Sequence, residues 1–142
     1  MLGRIHKDAG AAFCSILLTM AIMSVICLPL VSYANNHSDE RFAKYVSSYN
    51  SVYYTPGRRK YDASSMYTYN DKSASAYYAS GVGYTGGGYS ANTVIDRTLC
   101  SRGHSYYIRQ NVYELGFNYG ALKVEPQYST ATLSFLWSPD SV

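Results

Sequence analysis

From Ala9 to Ser38 the chain carries no Asp, Glu, Lys or Arg, and within that run Phe13 to Val31 is almost wholly hydrophobic. A segment of this kind has no face to offer water, so it belongs in a membrane or in a piece removed from the finished protein. Its flanks are those of a secretory signal. Arg4, His6 and Lys7 precede it, and Leu28-Pro29-Leu30-Val31-Ser32-Tyr33-Ala34 closes it with small residues at Ser32 and Ala34. Pro29 breaks a helix where the apolar centre should end. The polar stretch Asn35 to Arg41 follows at once. Residues 1–34 are therefore expected to be a signal peptide cut after Ala34 or, if uncleaved, an N-terminal transmembrane anchor held by residues 13–31. In both cases the positive charges lie ahead of the run, which predicts a secreted or extracytoplasmic body.

What remains is one small domain, able to bury only about two-thirds of its unfolded surface. Small exported domains often add disulfides, but Cys14 and Cys27 lie in the apolar run and Cys100 alone remains. An odd cysteine is either a buried, inert thiol or an intermolecular disulfide candidate that would make a homodimer. Val94, Ile95 and Leu99 give Cys100 strand-like surroundings.

Charge is sparse: 12 basic and 9 acidic residues, net +3. That excludes nucleic acid as a partner, since such binding needs a dense basic stripe to displace counterions. Tyrosine is the unusual term, with 17 Tyr against 4 Phe and 1 Trp. Tyr favours strands and half-wet positions, where an apolar ring keeps a polar tip.

Three segments follow the signal. Residues 35–60 form a polar, amphipathic stretch ending in a basic turn. Phe42, Tyr45, Val46, Tyr49 and Val52 or Tyr53 recur at spacings of three and four, which predicts a helix over 37–54, with a strand as the competing reading. Residues 61–92 are rich in Tyr, Ser and Gly. Met66–Tyr69 and Ala74–Tyr78 are short strand candidates, and Gly81, Gly83 and Gly86-Gly87-Gly88 are expected to interrupt anything longer. Residues 93–142 are the β-rich core, with strands expected over Thr93–Cys100, Ser105–Arg109, Val112–Tyr119, Ala121–Glu125 and Thr130–Trp137. In the last, Ala131, Leu133, Phe135 and Trp137 alternate with Thr130, Thr132 and Ser134, as in a sheet half-buried on a core. Leu122 and Val124 are expected to pair with it across a turn near Pro126-Gln127. The fold class is thus mostly β, a small antiparallel domain with at most one N-terminal helix.

No constellation for catalysis, cofactor or metal is legible. His37, His104 and Cys100 cannot supply the four N or S ligands of structural zinc. Gly81-Val82-Gly83-Tyr84-Thr85-Gly86 matches the dinucleotide spacing, but Gly87-Gly88-Tyr89 cannot open the required helix and Asp96 comes too early. Three features remain. Arg102-Gly103-His104 is similar to the tail of the Asp-Arg-Gly-His motif of DNA/RNA non-specific endonucleases, with Ser101 at the Asp position. The resemblance implies His104 as general base in a small hydrolase or nuclease; separately, a base needs an orienting carboxylate, for which Glu114 and Asp96 are the candidates. Gly57-Arg58-Arg59-Lys60 resembles the processing and amidation signal of peptide-hormone precursors, and His37-Ser38-Asp39-Glu40-Arg41-Phe42 resembles the opening of secretin/glucagon peptides. That resemblance implies a secreted precursor processed at Arg58, Arg59 and Lys60.

The third feature is the pairing of tyrosines, which puts one ring on each face of a strand. Were the strands holding Tyr77-Tyr78 and Tyr106-Tyr107 neighbours, one face would carry an aromatic stripe. Tyr77, Tyr78, Tyr106 and Tyr107 are therefore the candidate binding residues, for a protein or carbohydrate surface. The leading expectation is an exported, non-enzymatic structural, adhesive or ligand-binding protein.

Overall fold

The strand-forming runs of this chain are short and mostly carry one apolar parity each, so each needs a second layer before it is stable. The computed structural model describes residues 37–47, 51–128 and 131–141. All described residues belong to one compact unit, Ala34–Val142, and the expected signal or anchor lies outside them.

Ten strands follow one another: β1 (Glu40–Val46), β2 (Tyr53–Tyr54), β3 (Arg58–Arg59), β4 (Met66–Tyr69), β5 (Tyr77–Thr85), β6 (Gly88–Ser90), β7 (Thr98–Cys100), β8 (Ser105–Ile108), β9 (Tyr119–Pro126) and β10 (Ala131–Ser138). Among the described residues a single 3₁₀ turn, Ala91–Thr93, sits between β6 and β7, and every pairing is antiparallel. The first sheet runs β1-β10-β4-β8. The second runs β2-β9-β5-β6, with β3 also on β9 and β7 also on β5.

Alternation decides which side of each sheet turns inward. Leu133, Phe135 and Trp137 of β10 join Val46, Met66 and Ile108 on the inner face of the first sheet. Tyr77, Ala79, Cys100, Leu122 and Val124 come from the second, and all belong to one buried cluster. Two sheets facing across a shared core is the sandwich solution to covering half-apolar strands. Tyr77 lies at its centre. Its ring meets Phe135 at 4.6 Å between centroids, and its hydroxyl shares a 2.7 Å hydrogen bond with Thr68 Oγ1, which satisfies the one polar atom it buries.

The mostly β, antiparallel reading is therefore correct, and several finer expectations change. Residues 40–46 are a strand, not the start of a helix. Phe42 and Val46 satisfy a period of two as well as four, and seven ladder pairs with β10 settle the ambiguity in favour of the sheet. Tyr49 lies outside the described residues. Gly81 and Gly83 do not interrupt a strand; they sit inside β5, the longest one. Thr93–Cys100 contracts to β7, and residues 112–118 form turns instead of a strand. Leu122 and Val124 do not pair with β10: β9 and β10 lie in different sheets and face each other across the core. The core accordingly draws on residues 42–137, well beyond the segment 93–142 to which the sequence assigned it.

Candidate functional site

Residues paired directly in an antiparallel ladder share a face. The register of the second sheet therefore lines up Arg59, Tyr119, Tyr84 and Tyr89 as one row crossing β3, β9, β5 and β6. With strands spaced about 4.8 Å apart, the row is roughly 14 Å long. It lies on the outer face, because the neighbouring positions Gly83 and Gly120 turn inward, toward Phe117 and Met66.

A fourth ring joins from the opposite edge. Tyr54 of β2 stacks on Tyr89 with centroids 4.1 Å apart and planes 12° from parallel. Tyr84 meets Tyr89 at 5.1 Å. The Tyr89 hydroxyl donates to the Thr55 carbonyl at 3.4 Å, and burial against the neighbouring rings pushes its phenol above the ordinary value. Small side chains make this roof feasible. Ser80, Val82 and Ala121 share the outer face and are buried, so rings from the sheet edges can fold over them. Gly57 has the same logic, since a Cβ there would run into the Tyr84 ring. The roof still faces solvent: Tyr119 is 43% exposed, Tyr89 40% and Tyr54 36%. Beside it, a groove of about 330 Å³ runs between Tyr84 and Tyr119 and the loop Leu115–Asn118, with Thr85 and Phe117 in its lining.

The far end of the same face is charged. Tyr78 and Glu125 pair across β5 and β9. The Arg97 guanidinium lies 3.6 Å from the Tyr78 ring centroid and its Nε 2.7 Å from Glu125. Burial works against the Glu125 carboxylate, yet hydrogen bonds from Arg97 and Lys123 outweigh it and hold the carboxyl below its ordinary value.

A family model described as a protein of unknown function (DUF2712) matches residues 30–141. The chain belongs to the DUF2712 family. The matched span contains every strand of both sheets. No curated protein and no solved structure matches the chain.

In this DUF2712 chain the four tyrosines singled out from sequence do not meet. Tyr77 is fully buried in the core. Tyr106 also points inward, partly buried, with its hydroxyl accepting from the Ser101 amide at 3.0 Å. Tyr78 lies on the outer face of the second sheet beneath Arg97, whereas Tyr107 lies on the outer face of the first, 58% exposed and 5.7 Å from Tyr67. The stripe fails because β5 and β8 belong to different sheets.

The remaining candidates are placed as follows. Cys100 is fully buried, and burial pushes its thiol up to about 12, which favours the inert alternative over an intermolecular disulfide. Arg58 donates to the Ser38 carbonyl at 2.8 Å and to Ser38 Oγ at 2.9 Å, with its guanidinium over the Trp137 ring. Arg59 lies over Tyr61. Lys60 and Asp140 form a wholly buried ion pair at 2.8 Å, so a protease cutting after Lys60 would first have to unfold this segment. Ala34 lies outside the described residues.

His104 is exposed in the turn after β7, its Nδ1 3.0 Å from the Arg102 carbonyl oxygen. Asp96 is engaged by Arg109 at the opposite end of β8, and Glu114 is exposed in the 112–118 turns. Neither is brought to His104. Gly81 to Thr85 is strand, and strand β6, not a helix, follows it directly. Among the described residues no three His, Cys, Asp or Glu gather to hold a metal ion, and no helix is long and apolar enough to cross a membrane.

Sequence reasoning passed over Tyr84, Tyr89 and Tyr119. Their signal was faint but present: Tyr84 follows Gly83 and Tyr119 precedes Gly120. A glycine inside a strand marks a close approach on its own face, here of Phe117 at Gly83 and Met66 at Gly120, which leaves the adjacent tyrosine on the outer face.

Proposed function

We propose that this DUF2712 protein is exported and non-enzymatic, and that it holds a polysaccharide outside the cytoplasm against the tyrosine row of its second sheet. The observation that carries the reading is the row Arg59–Tyr119–Tyr84–Tyr89, closed by Tyr54, whose Tyr119, Tyr89 and Tyr54 rings are exposed to solvent. Export rests on the signal-like residues 1–34.

Sugar rings present apolar C–H faces and hydroxyl rims. Tyrosine answers both, with a flat apolar ring and a hydroxyl at its tip. The row is long enough to lie along several sugar units, and the adjoining groove supplies Asn118 and Thr85 for hydrogen bonding at its edge. The low net charge of +3 fits a neutral ligand better than a phosphorylated one.

The test is retention of the full chain on a panel of insoluble polysaccharides, including cell-wall preparations. At least one should retain it. Tyr119→Ala should weaken that retention about tenfold, equivalent to ~1.4 kcal/mol; Tyr107→Ala, on the opposite sheet, should leave it unchanged. Indifference of the whole panel, or equal retention of all three proteins, would contradict the proposal.

A further inference from the structure

Lys60 follows β3 and Asp140 follows β10, so the fold brings together residues 80 positions apart. Both side chains are 0% exposed, with Nζ 2.8 Å from Asp140 Oδ1. Two carbonyls complete the ammonium's partners, Ser64 at 2.7 Å and Pro139 at 2.8 Å. The lysine Cδ, Met66 and Val112 all crowd the bare backbone of Gly120, within 4 Å of where a Cβ would stand. A second carboxylate stands alongside: Asp62 Oδ1 is 3.9 Å from Nζ and is held by the Ser64 amide at 2.9 Å. The Tyr61 amide donates to the other Asp140 oxygen, Oδ2, at 3.3 Å.

A nucleophile, an electrophile, a proton carrier and a donor aimed at the carboxyl oxygen are the parts an amide-forming site requires. We infer that Lys60 and Asp140 become joined by an intramolecular isopeptide bond, formed by the folded chain itself. One proton passes from the ammonium to the carboxylate within their hydrogen bond, leaving an amine and a carboxylic acid. The Nζ lone pair adds to Cγ, one bond beyond the oxygen it already touches. The Tyr61 N–H stabilises the negative charge gathering on Oδ2. Asp62 takes the proton released by nitrogen and delivers it to the departing Oδ1. The C–O bond breaks, one water leaves and the amide remains; nothing is oxidised or reduced, and no co-reactant enters.

Two general effects favour the step. Holding the groups in contact removes the entropic cost of bringing them together. Burial deprives the charged pair of solvation, whereas the amide carries no charge. The remaining amide N–H keeps one of the two carbonyls as acceptor. The product ties the strand region after β3, in the second sheet, to the segment after β10, in the first.

The experiment is intact-mass analysis of the full chain in denaturant, after its N-terminus has been sequenced, followed by peptide mapping. The protein should weigh one water less than its sequence requires, and digestion should release a branched peptide joining residues 60 and 140. Lys60→Arg and Asp140→Ala should restore the full mass. Asp62→Ala, which leaves the pair in place, should fold normally and accumulate the bonded form at least tenfold more slowly. A folded wild-type chain at its full sequence mass would overturn the inference, even if the Lys60 and Asp140 variants failed to fold. Bond formation at the wild-type rate in Asp62→Ala would overturn the role given to Asp62.

Discussion

Burial changes the acid–base behaviour of single residues enough to shape how the whole chain responds to pH. Cys100 and Tyr77 are paired across β7 and β5 and are both fully buried. Desolvation raises the Cys100 thiol from 9.0 to about 12 and pushes the Tyr77 phenol far above its ordinary value. Above pH 9 the unfolded chain therefore releases a proton that the folded chain keeps, and stability falls as pH rises. Cys100 alone contributes a slope of about −1.4 kcal/mol per pH unit over that window. Acid acts through the opposite sign. Hydrogen bonds from Arg41 and Arg109 hold the Asp71 and Asp96 carboxyls below 3.8, so their contribution is complete above about pH 4 and fades below it. Both pairs reach solvent through their arginines, and that loss is small. Urea midpoints should be level from pH 5 to 8 and drop steeply above 9; a midpoint constant up to pH 11 would contradict the burial of Cys100. The odd cysteine itself was legible in the sequence. Its orientation was not, because Thr93–Cys100 read as a longer strand whose facing β7 alone now fixes.

At the scale of elements, glycine is where sequence and structure part most clearly. A Cβ at Gly81 would fall 2.7 Å from Gln110 Cβ, and one at Gly83 2.7 Å from the Phe117 ring. The two glycines let the turns after β8 lie directly on the β5 backbone. Gln110 has little freedom to retreat: its amide donates to the Ser64 carbonyl and its oxygen accepts from the Val112 amide. Gly81→Ala should therefore destabilise the protein by about 1–3 kcal/mol. Gly86→Ala, with open space around its Cβ, should cost well under 1 kcal/mol. Equal urea midpoints for the two variants would refute this account of β5. Strand β10 was legible because Leu133, Phe135 and Trp137 alternate cleanly and face a core. Strand β1 was ambiguous because Phe42 and Val46 suit either period, and its pairing with β10 spans most of the chain, out of reach of any local pattern.

The whole molecule explains why the site was harder to read than the fold class. Alternation tells which residues share a face of one strand, but not which strands become neighbours. Tyr77-Tyr78 and Tyr106-Tyr107 would have made a stripe had their strands been neighbours, yet they are divided between two sheets and between the core and two separate surfaces. The row that does form draws Arg59, Tyr119, Tyr84 and Tyr89 from strands whose adjacency only the topology supplies. The same topology places Lys60 against Asp140, while the sequence offered Lys60 only as part of a basic turn. The outer tyrosine face is the proposed seat of the ligand, and adding an oligosaccharide of the retained polysaccharide to the isotopically labelled full chain, with the amide shift changes mapped by nuclear magnetic resonance, tests it. Changes should cluster at Tyr54, Tyr84, Tyr89, Tyr119 and the loop Leu115–Asn118. Changes centred on Tyr67 and Tyr107, or none at saturating sugar, would contradict it.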